Sequence, residues 1–198
     1  MLGLLPTSLK INNKDYEIRT DYRNVLTIIS AFNDEDLKDA EKTFICLKRL
    51  FTDFESIPGD DYKEAYEAAV NFIECQVRPD KPSPKVIDWD RDEQMMFAAV
   101  NKAAGKEIRA EEYIHWWTFL GYFQSIDRDS IWGYVLMIRQ KKAKRKKLSK
   151  EENDFYNANK TMIDMGRITD RKKDAEMFAE EMYKMLLEEQ REVKVKEG

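Results

Sequence analysis

Helix breakers are scarce in this chain, and they are clustered. Only seven of its 198 residues are glycine and five are proline, and three of those prolines fall in "RPDKPSPK", residues 78–85. Proline removes a backbone donor and glycine raises the entropy lost on folding, so long intervals without either leave helices free to run. On both sides of that stretch apolar residues recur every three or four positions, the period of a helix with one buried face. The sequence therefore predicts a mainly α fold, a helical bundle of about seven or eight helices, interrupted by an extended Pro-rich linker over 79–87. The exception lies near the start. "SLKINNKDYEIRT" alternates Leu9 and Ile11, then Tyr16 and Ile18, about an Asn-Asn-Lys-Asp turn, which predicts a short β-hairpin. A lone hairpin is marginal in water, so it must pack on helices.

Helix ends can be placed from capping residues. Thr20 or Asp21 caps a helix running through Phe32, with Tyr22, Val25, Leu26, Ile29 and Phe32 on its apolar face. A second helix is expected over 35–54, with Leu37, Ala40, Phe44, Leu47, Leu50 and Phe51 inward. Asp61 with Glu64 resembles a capping box that opens a third helix, which should stop before Pro79. Beyond the linker, helices are expected over 90–104, 110–125, 128–147 and 149–165, the last opened by a Ser149–Glu152 capping box, and a final one over 170–191. The resulting plan is a hairpin with helices over 1–78, the linker 79–87, a helical core over 88–165 and a C-terminal helix over 166–198. One compact domain is the alternative.

Hydrophobic residues make up 42% and charged residues 36%, which argues against both wholesale disorder and a membrane protein. No window approaches the ~18 apolar residues of a transmembrane helix. The opening "MLGLLPTSLKINN" has no basic region and is broken by Pro6, so it does not read as a signal peptide. Cys46 and Cys75 stand far apart and read as buried, reduced thiols of a cytosolic protein.

The net charge of −4 is unevenly placed: −8 over residues 1–138, +8 over 139–150 and −4 over 151–198. The basic block holds Arg139, Lys141, Lys142, Lys144, Arg145, Lys146 and Lys147. It reads as a solvated helix end, as a site for an acidic protein partner, or as a contact for nucleic-acid backbone by counterion release. Ala175, Phe178, Met182, Met185 and Leu186 form a methionine-bearing stripe on the last helix. That stripe packs on its own domain or offers an adaptable partner surface.

Motifs for chemistry fail one by one. "DWDRDE" begins like a calcium loop, with Asp88, Asp90 and Asp92 at alternate positions, but Glu93 replaces the needed glycine and Ala99 the final glutamate. Those acids read instead as residues at a helix N-terminus, where the macrodipole favours them. A single histidine with two scattered cysteines makes no usual zinc set. No phosphate-binding glycine loop and no nucleophile elbow are present. The expectation is a protein that is not an enzyme and takes no cofactor or metal. "YIHWWTFLGYF", residues 113–123, holds six aromatic rings and the only histidine. It is apolar almost all round, so it is expected to be a central helix, with His115 a hydrogen-bonded core residue and Gly121 a point of close helix approach.

"VIDWDRDEQMMFAAV", then "IHWWTFLGYFQSI", then an apolar helix turning basic, resembles the bacteriophage family named after gene product fifteen. Asp88, Trp89, Asp92, Phe97, Ala98, His115, Trp116, Trp117, Phe119 and Arg139 carry the match, and "LPTSLKINNKDYEIRTDYRNVL" is also family-like. The resemblance implies a gene of the phage tail module, beside the major tail protein and the tape-measure protein. It points to a tail assembly chaperone working in the host cytoplasm, with self-association among its expected contacts. A structural tail or connector component, and a nucleic-acid-binding protein using residues 139–150, are the alternatives.

Overall fold

The computed structural model describes residues 3–75, 84–89 and 91–165. Strands β1 (Ser8–Ile11) and β2 (Lys14–Glu17) pair antiparallel, with Ile11 opposite Lys14. Asn12 and Asn13 both adopt positive φ, 44° and 65°, as a two-residue hairpin turn of matching twist requires. Eight α-helices follow among the described residues: α1 (Tyr22–Asn33), α2 (Asp39–Leu50), α3 (Tyr62–Ile73), α4 (Glu93–Ala104), α5 (Trp116–Gln124), α6 (Ile131–Ala143), α7 (Lys150–Ala158) and α8 (Lys160–Ile163). The fold is mainly α with a short N-terminal hairpin, as the sequence predicts.

The hairpin docks on α3, and α1, α2 and α3 pack in succession. Helix α5 lies against both α1 and α4, α6 lies on α4, and α8 bridges α6 and α7. One hydrophobic cluster runs through all of them, from Ile11 and Tyr16 of the hairpin to Ile163 of α8. Residues on both sides of the Pro-rich stretch thus contribute to the same core.

Several helix ends differ from expectation, each for a tertiary reason. The second helix starts at Asp39 and stops at Leu50, rather than covering 35–54. Phe51 is extended because it forms a β-bridge with Ile18 at the hairpin's end. The Arg19 guanidinium then donates to the carbonyls of Lys48, Arg49, Phe51 and Thr52, satisfying groups that a helix end leaves orphaned. Phe44, expected inward, is 55% exposed and meets Phe54 edge-on, while Cys46, Leu47 and Leu50 face the core.

The Asp61–Glu64 capping box does not form; both carboxylates accept from Asn12 of the hairpin turn instead. The box at Ser149 and Glu152 does form. The helix expected over 128–147 is shorter, Ile131–Ala143, and that over 149–165 is split into α7 and α8 at Asn159.

Gly121 faces open space rather than a neighbouring helix. The tight approach is at Gly133, where an added Cβ would stand 2.6 Å from the Asp127 carbonyl oxygen and 2.8 Å from that of Arg128. Backbone cannot yield there as a flexible side chain can. Gly133→Ala is therefore expected to destabilise the fold by about 1–3 kcal/mol despite alanine's better helix propensity. Urea unfolding of that variant beside Gly121→Ala, which should be neutral or stabilising, checks the assignment.

Candidate functional site

The family-like residues come together in two constellations, one built on Arg139 and the other on His115. Arg139 lies on α6 and is only 4% exposed, so it is no part of the basic surface to which the sequence reading assigned it. Its Nη1 and Nη2 donate to Asp92 Oδ2 at 2.6 Å and Oδ1 at 2.9 Å. Nη1 also donates to the Val86 carbonyl, Nη2 to that of Met162 and Nε to that of Ile163. All five N–H groups of the guanidinium fork are thereby used.

Asp92, fully buried just before α4, does more than complement a helix dipole. Its Oδ2 also accepts from the Asp88 backbone N–H at 2.9 Å, and Asp88 Oδ1 accepts from the Arg91 N–H. The D-W-x-x-D pattern is thus a turn locked onto a buried arginine. Trp89, between its acids, packs on Phe123 of α5 at 5.6 Å.

His115 caps α5 rather than lying within it. The expected helix over 110–125 begins only at Trp116, because the backbone before it is bound to the start of α1: Tyr22 N–H donates to the Ile114 carbonyl and Trp116 N–H to that of Thr20. The His115 Nδ1 accepts from the Trp117 N–H at 3.0 Å. Its proton therefore sits on Nε2, which lies 3.0 Å from the Pro6 carbonyl and donates to it. Both ring nitrogens are consumed within the fold.

The two indoles that follow act together on α3. Trp116 Nε1 donates to the Ile73 carbonyl and Trp117 Nε1 to the Phe72 carbonyl, each at 2.9 Å, so a pair of side chains caps the C-terminus of that helix. The Phe72 carbonyl also accepts from Cys75 N–H. Trp116→Phe is accordingly expected to cost about 1–3 kcal/mol through an orphaned Ile73 carbonyl, and Trp117→Phe clearly less. Chemical denaturation of the two single variants tests that order. Phe119, wholly buried, stacks on Tyr22 of α1 at 4.7 Å and on Trp116 at 5.6 Å.

The remaining basic candidates divide. Lys141 is paired with Glu152, whose carboxyl it holds below the usual range by hydrogen bonding. Lys142 lies 3.6 Å over the Tyr156 ring. Lys144, Arg145, Lys146 and Lys147 are exposed in the turn after α6. Phe178, Met182, Met185 and Leu186 lie outside the described residues, as does Asp90.

A groove of about 440 Å³ opens between α1 and α4 over Tyr22, Trp89 and Phe97, with Arg23 and Arg109 on its wall. Both guanidinium groups are engaged, Arg23 with Asp21 and the Glu111 carbonyl, and Arg109 with Glu107, whose carboxyl that hydrogen bond holds at about 2. Burial pushes the thiols of Cys46 and Cys75 up to about 12 and about 11, far from a reactive thiolate. Among the described residues no group of three or more His, Cys, Asp or Glu side chains is placed to hold a metal, and no helix is long and apolar enough to cross a membrane.

The pattern of the sequence marks these residues but not their pairing. The available signal was the presence of an acid and an arginine in one motif set, since a buried charge needs a partner.

A family model described as "Bacteriophage Gp15 protein" matches residues 1–165, which include both constellations. No curated protein and no solved structure matches the chain. With the model covering that much of its length, the chain belongs to the bacteriophage Gp15 family.

Proposed function

We propose that this phage protein is a non-enzymatic tail assembly factor that acts in the host cytoplasm as a chaperone of the tape-measure protein before tail tube subunits polymerise around it. The observation that carries the reading is the commitment of the motif's polar groups to the fold. Arg139 spends all five donors inside, His115 uses both ring nitrogens, and the two indoles cap α3. A catalytic centre needs polar groups that converge on open space with capacity to spare. Here they hold helices together, which leaves the outer surface to meet partners. A chaperone of that kind would shield apolar helices of the tape-measure protein, in the manner of grooves that receive amphipathic helices.

The test is biochemical. The chain should co-purify with the tape-measure protein from infected or induced cells, raise its soluble yield, and be missing from finished particles. Mass spectrometry that finds the chain at stoichiometric levels in purified virions would overturn the chaperone reading in favour of a structural tail or connector component.

A further inference from the structure

We propose that the turn at residues 144–147 is a docking site for an acidic segment of a partner protein. Three of the seven basic candidates, Arg139, Lys141 and Lys142, are used within the fold. The other four are consecutive and exposed, and none has an acidic partner among the described residues.

The backbone of the turn supplies a second observation. Arg145 N–H donates to the Lys142 carbonyl and Lys146 N–H to that of Lys141, the paired bonds that close a helix in a Schellman motif. In that motif the residue at the position of Arg145 must be left-handed, and its φ is +52°. Glycine is the usual occupant because any Cβ is strained there. A turn that only linked α6 to α7 would be more stable with glycine at 145, and mutual repulsion among four adjacent cations offsets what the helix C-terminus gains from a cation. Keeping a strained arginine among three lysines points to a use for the charge.

The flanks fix the turn in place. Glu152 receives Lys141 and closes the capping box with Ser149, and Lys142 sits on Tyr156. The cations are therefore displayed from an ordered backbone, and little backbone entropy is lost when a partner binds.

An acidic polypeptide fits this turn better than nucleic acid. Tyr156 is covered by Lys142, and Phe155 packs edge-on against Tyr134 at 4.8 Å, so neither ring offers a base a stacking platform. Outside residues 139–150 the chain carries −12, that is −8 before them and −4 after, which repels a long polyphosphate while a short acidic peptide meets only the turn. The fork of Arg145 matches a carboxylate in bidentate geometry. The proposal rests on the chaperone reading only in taking the partner to be a protein.

Fluorescence anisotropy on the full chain tests it, with a labelled ten-residue glutamate peptide and a labelled DNA duplex long enough to stay paired compared over a salt series. The peptide should bind, R145G should weaken it several-fold, and K144Q/R145G/K146Q/K147Q should weaken it at least ten-fold. Neither variant should melt below the parent, and R145G should melt above it as strain is relieved. Peptide binding that is absent, or unchanged in the quadruple variant, overturns the proposal. So does a duplex bound more tightly than the peptide at equal salt, or an R145G protein that melts lower. These outcomes are read on the isolated chain, so they stand apart from the virion test.

Discussion

Arg139→Met is expected to lower the unfolding free energy by about 3–5 kcal/mol, the range for breaking a buried ion pair from one side. The change leaves the fully buried Asp92 carboxylate without its counter-charge. It also strips the carbonyls of Val86, Met162 and Ile163 of their donor. Arg139→Lys should recover little, because one ammonium cannot span both carboxylate oxygens and three carbonyls. The more revealing variant is Asp92→Leu with Arg139→Met. Replacing an ordinary buried pair by apolar residues is often neutral or stabilising. Here the double variant should remain less stable than the parent by about 1–3 kcal/mol, since the Ile163 carbonyl stays buried without a donor and the Asp88 N–H loses its acceptor. Urea unfolding midpoints of the three variants measure the order. A double variant as stable as the parent would mean that those groups find other partners and that the charge pair alone explains the arginine.

Phe119→Ala should be of similar severity, about 3–5 kcal/mol, as for other large-to-small changes of a buried ring. Phe119 is the ring on which three helices meet. It stacks face to face with Tyr22 of α1 at 4.7 Å, lies 6.2 Å from Phe97 of α4, and contacts Trp116 of its own helix. With no exposed face it has no route by which water could fill the space cheaply. At roughly 2–4 °C per kcal/mol for a chain of this size, calorimetry should show a melting point lower by roughly 6–20 °C. Phe44→Ala is the contrast: that ring is more than half exposed, and its loss should stay within about 1 kcal/mol. Equal shifts in the two variants would contradict the assignment of Phe119 as the packing centre.

Local patterns carried most of the architecture. The alternation around Asn12-Asn13 marked the hairpin, and the Ser149–Glu152 spacing marked the start of α7, because both signals act within a few residues. Asp61 and Glu64 had the same appearance yet serve Asn12, 49 and 52 residues away. Periodicity likewise ran α5 back to residue 110, since nothing local shows that the backbone before Trp116 is claimed by Thr20 and Tyr22. The candidate site followed the same division. Its members were legible as a spaced motif, but Arg139 read as the first cation of a basic run. Only the third dimension separates it from Lys144–Lys147 neighbours that face solvent.

The bond between His115 and the Pro6 carbonyl joins residues 109 apart. Contacts of that span form late, since loop-closure entropy must be met before they reward the chain. At a translation rate of about 5–20 residues per second, roughly 5–20 s separate the emergence of the hairpin from that of the histidine that secures it. The partners of Tyr16 and Ile18 at Phe51, and α3 on which the hairpin docks, are made within that interval. The hairpin can thus dock on α3 well before the histidine that ties down the segment leading into it has been made, so the two attachments of this segment are separated in time.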